Sequence, residues 1–403
     1  MSNFAFGTYR ISDLNPQHIE ALKAAIDSEV QLIDTSTNYM DGGAERAIAL
    51  AFRSFKDDVK KSILIVSKFG YIQNSNMQAH KEEPFEEVVE YSDSCYHSIS
   101  PSFMKNQLTA SLKRLELTKL DCYLIHNPEY YLLDAINKGV EKDKRLDEMY
   151  SRIYKVFVAL EEEIAKGRIG SYGISSNSFS LKPNAVDFLP YEDLLVLAQN
   201  AADEIKNEKH GFTTIELPIN LLEQEGLKCA EWAKENSLRV LVNRPLNAVN
   251  EGLMLRLADY DESLNYYHHL NELMQACDNE KLESLYTLLE QLDNNRHKFG
   301  WIGDYDSFLY SQIIPHIKKS LDSVDDEYAA SLFSSIDMFL QEYRNMVLFE
   351  CSKSVREKFK DELSECNTSL QAYALTYLKE LDCIDFVLVG MRRPSYVHQV
   401  LGL

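Results

Sequence analysis

Short apolar runs rich in Val, Ile and Leu recur along the 403-residue chain. In order they are FAFGTY, QLIDTS, ILIVSKFG, DCYLIHNP, IGSYGISS, TTIELPIN, RVLVNRPL and DFVLVGMR. Most are apolar over a few consecutive residues and close on polar, Gly or Pro positions, the pattern of parallel strands buried on both faces. Helical periodicity fills most of the intervals. NPQHIEALKAAIDSEV puts Ile19, Leu22 and Ile26 on one face. SPSFMKNQLTASLKRLEL opens with Ser100 as N-cap and Pro101 at the first helical position. RIYKVFVALEEEIAKGRIG stops at Gly167, a residue suited to a C-terminal cap. EGLKCAEWAKENSL and LQAYALTYLKEL repeat the pattern.

Strands alternating with helices predict a closed (β/α)8 TIM barrel formed by residues 1–403. An open doubly wound sheet is the alternative. It needs a phosphate-binding turn after its first strand, and FAFGTYRISD has none. Gly167, Gly170 and Gly173 have GxxGxxG spacing, but they lie before and within a strand, where they read as a helix stop and a strand entry.

Two stretches exceed what the barrel needs. Residues 71–100 form a loop insertion after the third strand, and residues 250–367 separate the seventh strand from its helix. EKLESLYTLLEQL and YAASLFSSIDMFLQEYRNMVLFE make the second one a helical insertion, expected on the C-terminal face of the barrel. Most of its aromatic residues, among them Tyr266, Tyr267, Trp301, Tyr305 and Phe308, are expected in its own core. The pair His268 and His269 looks like a metal cue, but adjacent helical side chains point apart. Both are expected at the surface, and no metal site is expected.

The formal net charge of -21 opposes nucleic acid or an anionic membrane as partner, since either is repelled. No apolar run approaches membrane-spanning length, and MSNFAFGTYR lacks the pattern of a signal peptide. The seven cysteines are scattered without a CxxC pair, which suits reduced thiols and a cytoplasmic location.

Reactive groups of such a barrel gather at the C-terminal strand ends. Those ends carry Asp34 and Tyr39 after the second strand, Lys68 on the third and His126 on the fourth. Each alone has a structural reading: a strand cap for Asp34 or Lys68, a satisfied core histidine for His126. Together they have a common chemistry. A tyrosine hydroxyl, with its pKa near ~10, exchanges protons sluggishly at neutral pH. A neighbouring ammonium lowers that pKa, each unit requiring about 1.36 kcal/mol. The ammonium must itself stay charged when buried, which calls for a carboxylate, and Asp34 is the candidate for Lys68. His126 is then placed to hold a substrate oxygen beside Tyr39.

At these residues the sequence resembles the aldo-keto reductase superfamily. DTSTNY is similar to the family's Asp-Thr-Ala-x-x-Tyr, with Ser36 in place of alanine. IVSKFG and DCYLIHNPE are similar to the strands carrying its lysine and histidine. The resemblance implies a catalytic tetrad of Asp34, Tyr39, Lys68 and His126 and a dinucleotide cofactor, NADP(H) ahead of NAD(H). It places Gly7 and Thr8 among the cofactor-binding residues, Ser175 and Ser176 at the carboxamide with Asn177 close by, and the backbone of Asn243, Arg244, Pro245 and Leu246 at the pyrophosphate. Gly390, Met391, Arg392 and Arg393 fall at the adenosine phosphate and Gln399 near the adenine, the two arginines favouring a 2'-phosphate.

The sequence departs from the pattern where Glu216 replaces a glutamine that touches the carboxamide, and where the chain stops at QVLGL without the usual C-terminal loop. Substrate contacts are therefore expected mostly from the insertions. The resemblance implies NADPH-dependent reduction of an aldehyde or ketone with Tyr39 as proton donor. The alternative is a regulatory or scaffold module that binds cofactor and meets a protein partner through the helical insertion.

Overall fold

The computed structural model describes residues 3–250 and 252–402. The eight apolar runs become eight parallel strands: β1 (Phe4–Gly7), β2 (Leu32–Asp34), β3 (Leu64–Phe69), β4 (Cys122–His126), β5 (Tyr172–Ser175), β6 (Phe212–Pro218), β7 (Arg239–Asn243) and β8 (Phe386–Val389). They close into a barrel in sequence order, β8 pairing with β1 through Phe4↔Val387 and Phe6↔Val389. The (β/α)8 expectation holds, and the open sheet does not.

Strand side chains alternate between the barrel interior and its outer face. The interior set is Ala5, Leu32, Val66, Cys122, Leu124, Leu241 and Leu388, all buried in one cluster. Two residues further along the same strands the interior positions change character, from Leu32 to Asp34, Val66 to Lys68, Leu124 to His126 and Leu241 to Asn243. The apolar layer is thus a floor, and the chemistry-bearing side chains stand on it at the C-terminal end.

The helix ends follow the sequence signals. Ser100 accepts a hydrogen bond from the Phe103 amide and caps helix Pro101–Leu115. Gly167 lies just past helix Lys142–Ala165 with φ +72°, and the Gly167 and Arg168 amides donate to Ile164 O and Glu163 O. The other two glycines of that run serve packing. A Cβ on Gly173 would lie 1.9 Å from the Thr214 carbonyl oxygen, and one on Gly170 would lie 2.8 Å from that of Asp121. The spacing therefore lets β5 fit between its neighbours.

Residues 71–100 contain helix Asn74–Glu82 and a three-stranded antiparallel sheet in the order Tyr71–Ile72, Cys95–His97, Val89–Ser92. These strands are short, and the sequence of Val89–Ser92 is polar and mostly exposed, so it carries no alternating apolar signal.

The chain separates into two compact units. One is residues 1–245 with 375–403, the barrel, and the other is residues 246–374. The second unit has a hairpin, Asn247–Asn250 with Leu253–Arg256, followed by helices whose longest is Asp326–Lys358. Its core holds Tyr266, Tyr305, Phe339 and Tyr343, with Trp301 packed against them, whereas Tyr267 and Phe308 are exposed. His268 is exposed and His269 partly buried. The pair does not diverge as expected, because both rings lean on Glu272, at 3.4 and 3.8 Å. Among the described residues no helix is long and apolar enough to cross a membrane.

The β5 packing is directly testable. Gly173→Ala forces the Thr214 backbone outward and is expected to cost about 1–3 kcal/mol, as overpacking typically does. The readout is the midpoint of urea unfolding, and an unchanged midpoint contradicts the close approach.

Candidate active site

Lys68 is the centre of the site. It is fully buried on β3, and its ammonium is paired with Asp34 on β2 and with Glu216 Oε2 on β6, the latter at 3.2 Å. The Thr35 carbonyl accepts from it at 3.2 Å. Burial disfavours the charged lysine, but the Asp34 and Glu216 carboxylates outweigh that loss and hold the ammonium above its usual pKa. Asp34 does not escape unchanged. Burial and the nearby Glu216 push Asp34 up to about 8, against the pull of Lys68.

Tyr39 sits beside this ammonium, with Lys68 Nζ 5.5 Å from its ring centroid. The loop that carries it continues the pairing of β2 along β3, since the Thr35 and Thr37 amides donate to Val66 O and Lys68 O. It then turns through Met40, Asp41 and Gly42, all with left-handed φ, and enters helix Gly43–Phe52. Glu45 on that helix accepts from Ser67 Oγ at 2.7 Å and Arg114 Nε at 2.6 Å, which fixes the helix against β3. Lys68 pulls the Tyr39 pKa down as expected, but the net shift is upward. Burial raises it, and the lysine offsets only part of that rise, so the hydroxyl keeps its proton. Desolvation of a phenolate outweighs one ammonium that is already shared between two carboxylates.

His126 ends β4 across from Tyr39, with ring centroids 6.0 Å apart. Burial, Lys68 and His97 lower its pKa well below the usual value, so the ring is neutral. Ser36, the residue that breaks the DTAxxY pattern, lies 3.2 Å from His126 Nδ1 and donates to Asn38 Oδ1 at 2.7 Å. Asn38 Nδ2 donates to Gln73 Oε1, and Gln73 Nε2 donates to Cys95 Sγ. A polar chain therefore runs from residues 71–100 to the site histidine. Tyr71 adds its ring edge-on to His126 at 4.8 Å, and Asn127 Nδ2 donates to the Tyr71 hydroxyl. Tyr9 meets Tyr39 edge-on at 5.2 Å and is exposed, so an aromatic rim surrounds the Tyr39–His126 pair.

The next strands supply unsatisfied polar atoms. Ser175 and Glu216 are register partners on β5 and β6, and Asn243 on β7 donates to Glu216 Oε1 at 2.9 Å. Ser175 Oγ, Asn243 Oδ1 and Arg244 Nε are buried without a hydrogen-bond partner. Buried polar atoms are seldom left this way, and a group of them at strand ends suits a polar ligand. Ser176 does not join them. Its hydroxyl donates to Glu129 at 2.7 Å, and Glu129, pushed up to about 7 by burial, also accepts from the Asn177 amide.

The remaining sequence candidates are dispersed around the barrel. Thr8 N and Oγ1 both donate to Asp34 O, which ties Gly7–Thr8 to the tetrad loop. Arg244 has φ +51° and an ion pair with Glu223 at 3.1 Å, and Pro245 behind it is buried. Leu246 belongs to the second compact unit. Gly390 and Arg392 are exposed beyond β8, with Met391 buried between them. Arg393 stacks over Tyr396 at 5.7 Å, and Gln399 is exposed on helix Pro394–Leu401. Sequence reading missed Asn38, Gln73 and Glu129. Glu129 closes the HNPE turn and Asn38 lies within DTSTNY, but neither motif pointed to their hydrogen bonds.

The Aldo/keto reductase family model matches residues 3–403. A search among curated proteins finds no match. A glycerol dehydrogenase from Gluconobacter oxydans is 16% identical, with a TM-score of 0.50, covering 100% of this chain and 86% of its own. An aldo/keto reductase from Klebsiella pneumoniae, crystallised with NADP and acetate, is 15% identical with a TM-score of 0.46, covering 99% and 84%.

Lys68→Met leaves two buried carboxylates without their cation and is expected to cost about 3–5 kcal/mol. Combining it with Asp34→Asn is expected to recover part of that loss in thermal unfolding. A double variant no more stable than the summed single effects contradicts the pairing.

Proposed function

Because this chain belongs to the aldo/keto reductase family, we propose that it is an NADP(H)-dependent oxidoreductase that reduces an aldehyde or ketone to an alcohol. One observation carries this reading. A buried ammonium, Lys68, stands between carboxylates with a protonated Tyr39 beside it and a neutral His126 facing that tyrosine.

A bound nicotinamide supplies the hydride. The protein's own task is to hold the carbonyl and deliver a proton. Tyr39 is the proton donor: its hydroxyl stays protonated at neutral pH, and the nearby Lys68 ammonium stabilises the phenolate that forms as the proton leaves. Asp34 and Glu216 together keep Lys68 charged in a site where a lone lysine would lose its proton. His126, neutral and fixed through Ser36 Oγ, orients the substrate oxygen beside Tyr39. The rim of Tyr9 and Tyr71 favours apolar or ring-bearing carbonyls over bare sugars.

The unpartnered atoms of Ser175, Asn243 and Arg244 fit a dinucleotide, since they offer both donors and acceptors at adjacent strand ends. Arg392 and Arg393 lie on the turn after β8, and their guanidinium groups suit a 2'-phosphate, which supports NADP over NAD.

The test is consumption of NADPH and of NADH over a panel of aldehydes, ketones and quinones. Tyr39→Phe removes only the hydroxyl. It is expected to lower kcat by ~10²–10⁴-fold, the usual worth of general acid catalysis, with NADPH affinity nearly unchanged. A Tyr39→Phe variant within about threefold of the parent, far below that usual loss, sinks the proton-donor assignment. Tight NADPH binding without turnover on any carbonyl moves the chain to the role of a cofactor-binding module.

A further inference from the structure

The site contains one carboxylate more than its cation neutralises. Asp34 and Glu216 are both buried, at 3% and 1% exposure, and both pair with the single ammonium of Lys68. Other titratable groups face this trio from the neighbouring elements. They are Tyr39 on the loop after β2, Cys122 below on β4 and His126 at the end of β4, and all three are neutral. Asn243 on β7 gives Glu216 Oε1 a hydrogen bond but no charge, and Glu216 Oε2 faces the same Lys68 ammonium that pairs with Asp34. With both carboxylates ionised, the cluster carries one uncompensated negative charge in a dry environment.

Such a charge has two remedies, a shared proton or a bound cation. We propose that Glu216 makes this site selective for oxidised over reduced nicotinamide, with a proton released from the Asp34–Glu216 pair when the cationic ring binds. The inference rests on the oxidoreductase reading above and deepens it. The oxidised ring carries a positive charge and the reduced ring carries none. Only the oxidised ring can take the place of the proton. The balance is one proton expelled for one positive ring accepted, so the charge of the site is the same before and after.

The direction with pH follows from the Asp34 carboxyl, which is pushed up to about 8 by burial and by Glu216. Below that pH the pair holds the proton that the cation must displace, and above it the proton is already gone. Affinity for NADP+ therefore rises with pH and then levels off. The 2'-phosphate of the cofactor titrates in both forms, so it cancels in the ratio of the two dissociation constants.

Isothermal titration calorimetry tests this without turnover. The full chain is titrated with NADP+ and with NADPH at neutral pH, in phosphate and in Tris, whose ionisation heats differ. A net release of protons is expected with NADP+ and much less with NADPH. The ratio Kd(NADP+)/Kd(NADPH) is expected to fall by up to ~10-fold per pH unit on approaching pH 8 and to flatten above it. In Glu216→Gln the excess release is expected to vanish and the ratio to rise by ~10-fold or more at alkaline pH. Equal proton release with the two forms in the parent protein overturns the proposal, and that comparison needs no variant. So does a Glu216→Gln protein that keeps the parental proton release. Failure of either nucleotide to bind overturns the oxidoreductase reading itself, and this proposal with it.

Discussion

The buried charge of Lys68 is the constraint around which the site is arranged. An ammonium taken out of water is costly, and it persists only beside opposite charge with its hydrogen bonds made. The barrel provides both by converging three strand ends. Asp34 arrives from β2, Glu216 from β6, and the lysine itself from β3. The apolar layer beneath keeps water from replacing these partners, because Leu32, Val66, Leu124 and Leu241 fill the interior one pleat below. Lys68 then acts on its neighbours. It keeps the His126 ring neutral together with burial, and it offsets part of the cost of a phenolate at Tyr39.

The shell around this centre is held by polar contacts rather than by the barrel alone. Glu45 ties the helix after Tyr39 to β3 and to Arg114. Asp41 accepts from Ser75 Oγ at 2.6 Å, so the Tyr39 loop is bonded to the helix of residues 74–82. The chain from Cys95 through Gln73, Asn38 and Ser36 reaches His126 from the same segment. The segment after β3 thus fixes the loop bearing Tyr39 and the orientation of the histidine, and it adds Tyr71 to the rim. A site built this way gains its precision from contacts outside the tetrad.

Much of this was legible in the amino-acid sequence. Doubly buried strands leave continuous apolar runs, and all eight barrel strands were read from them. The change from apolar to ionisable residue at strand ends revealed Asp34, Lys68 and His126, and the loop motif revealed Tyr39. The small sheet of residues 71–97 was not legible, because its strands are two to four residues long with little periodicity. The sign of the Tyr39 shift was not legible either. It depends first on how deeply the hydroxyl is buried, and then on the Asp34 and Glu216 carboxylates that oppose Lys68, with Glu216 far from Asp34 in sequence. Ser176 shows the same limit: its motif position points to a ligand, while its hydroxyl is held by Glu129, a residue on another loop.

The central claim is that this charged centre serves hydride transfer to a carbonyl carbon. The direct measurement uses NADPH carrying deuterium at both nicotinamide C4 positions and mass spectrometry of the alcohol formed from an aromatic aldehyde. The account predicts one deuterium per product molecule, bound to carbon and not exchangeable with water. Cofactor oxidation that leaves the aldehyde unreduced, or an alcohol whose new carbon-bound hydrogen comes from solvent, would contradict it.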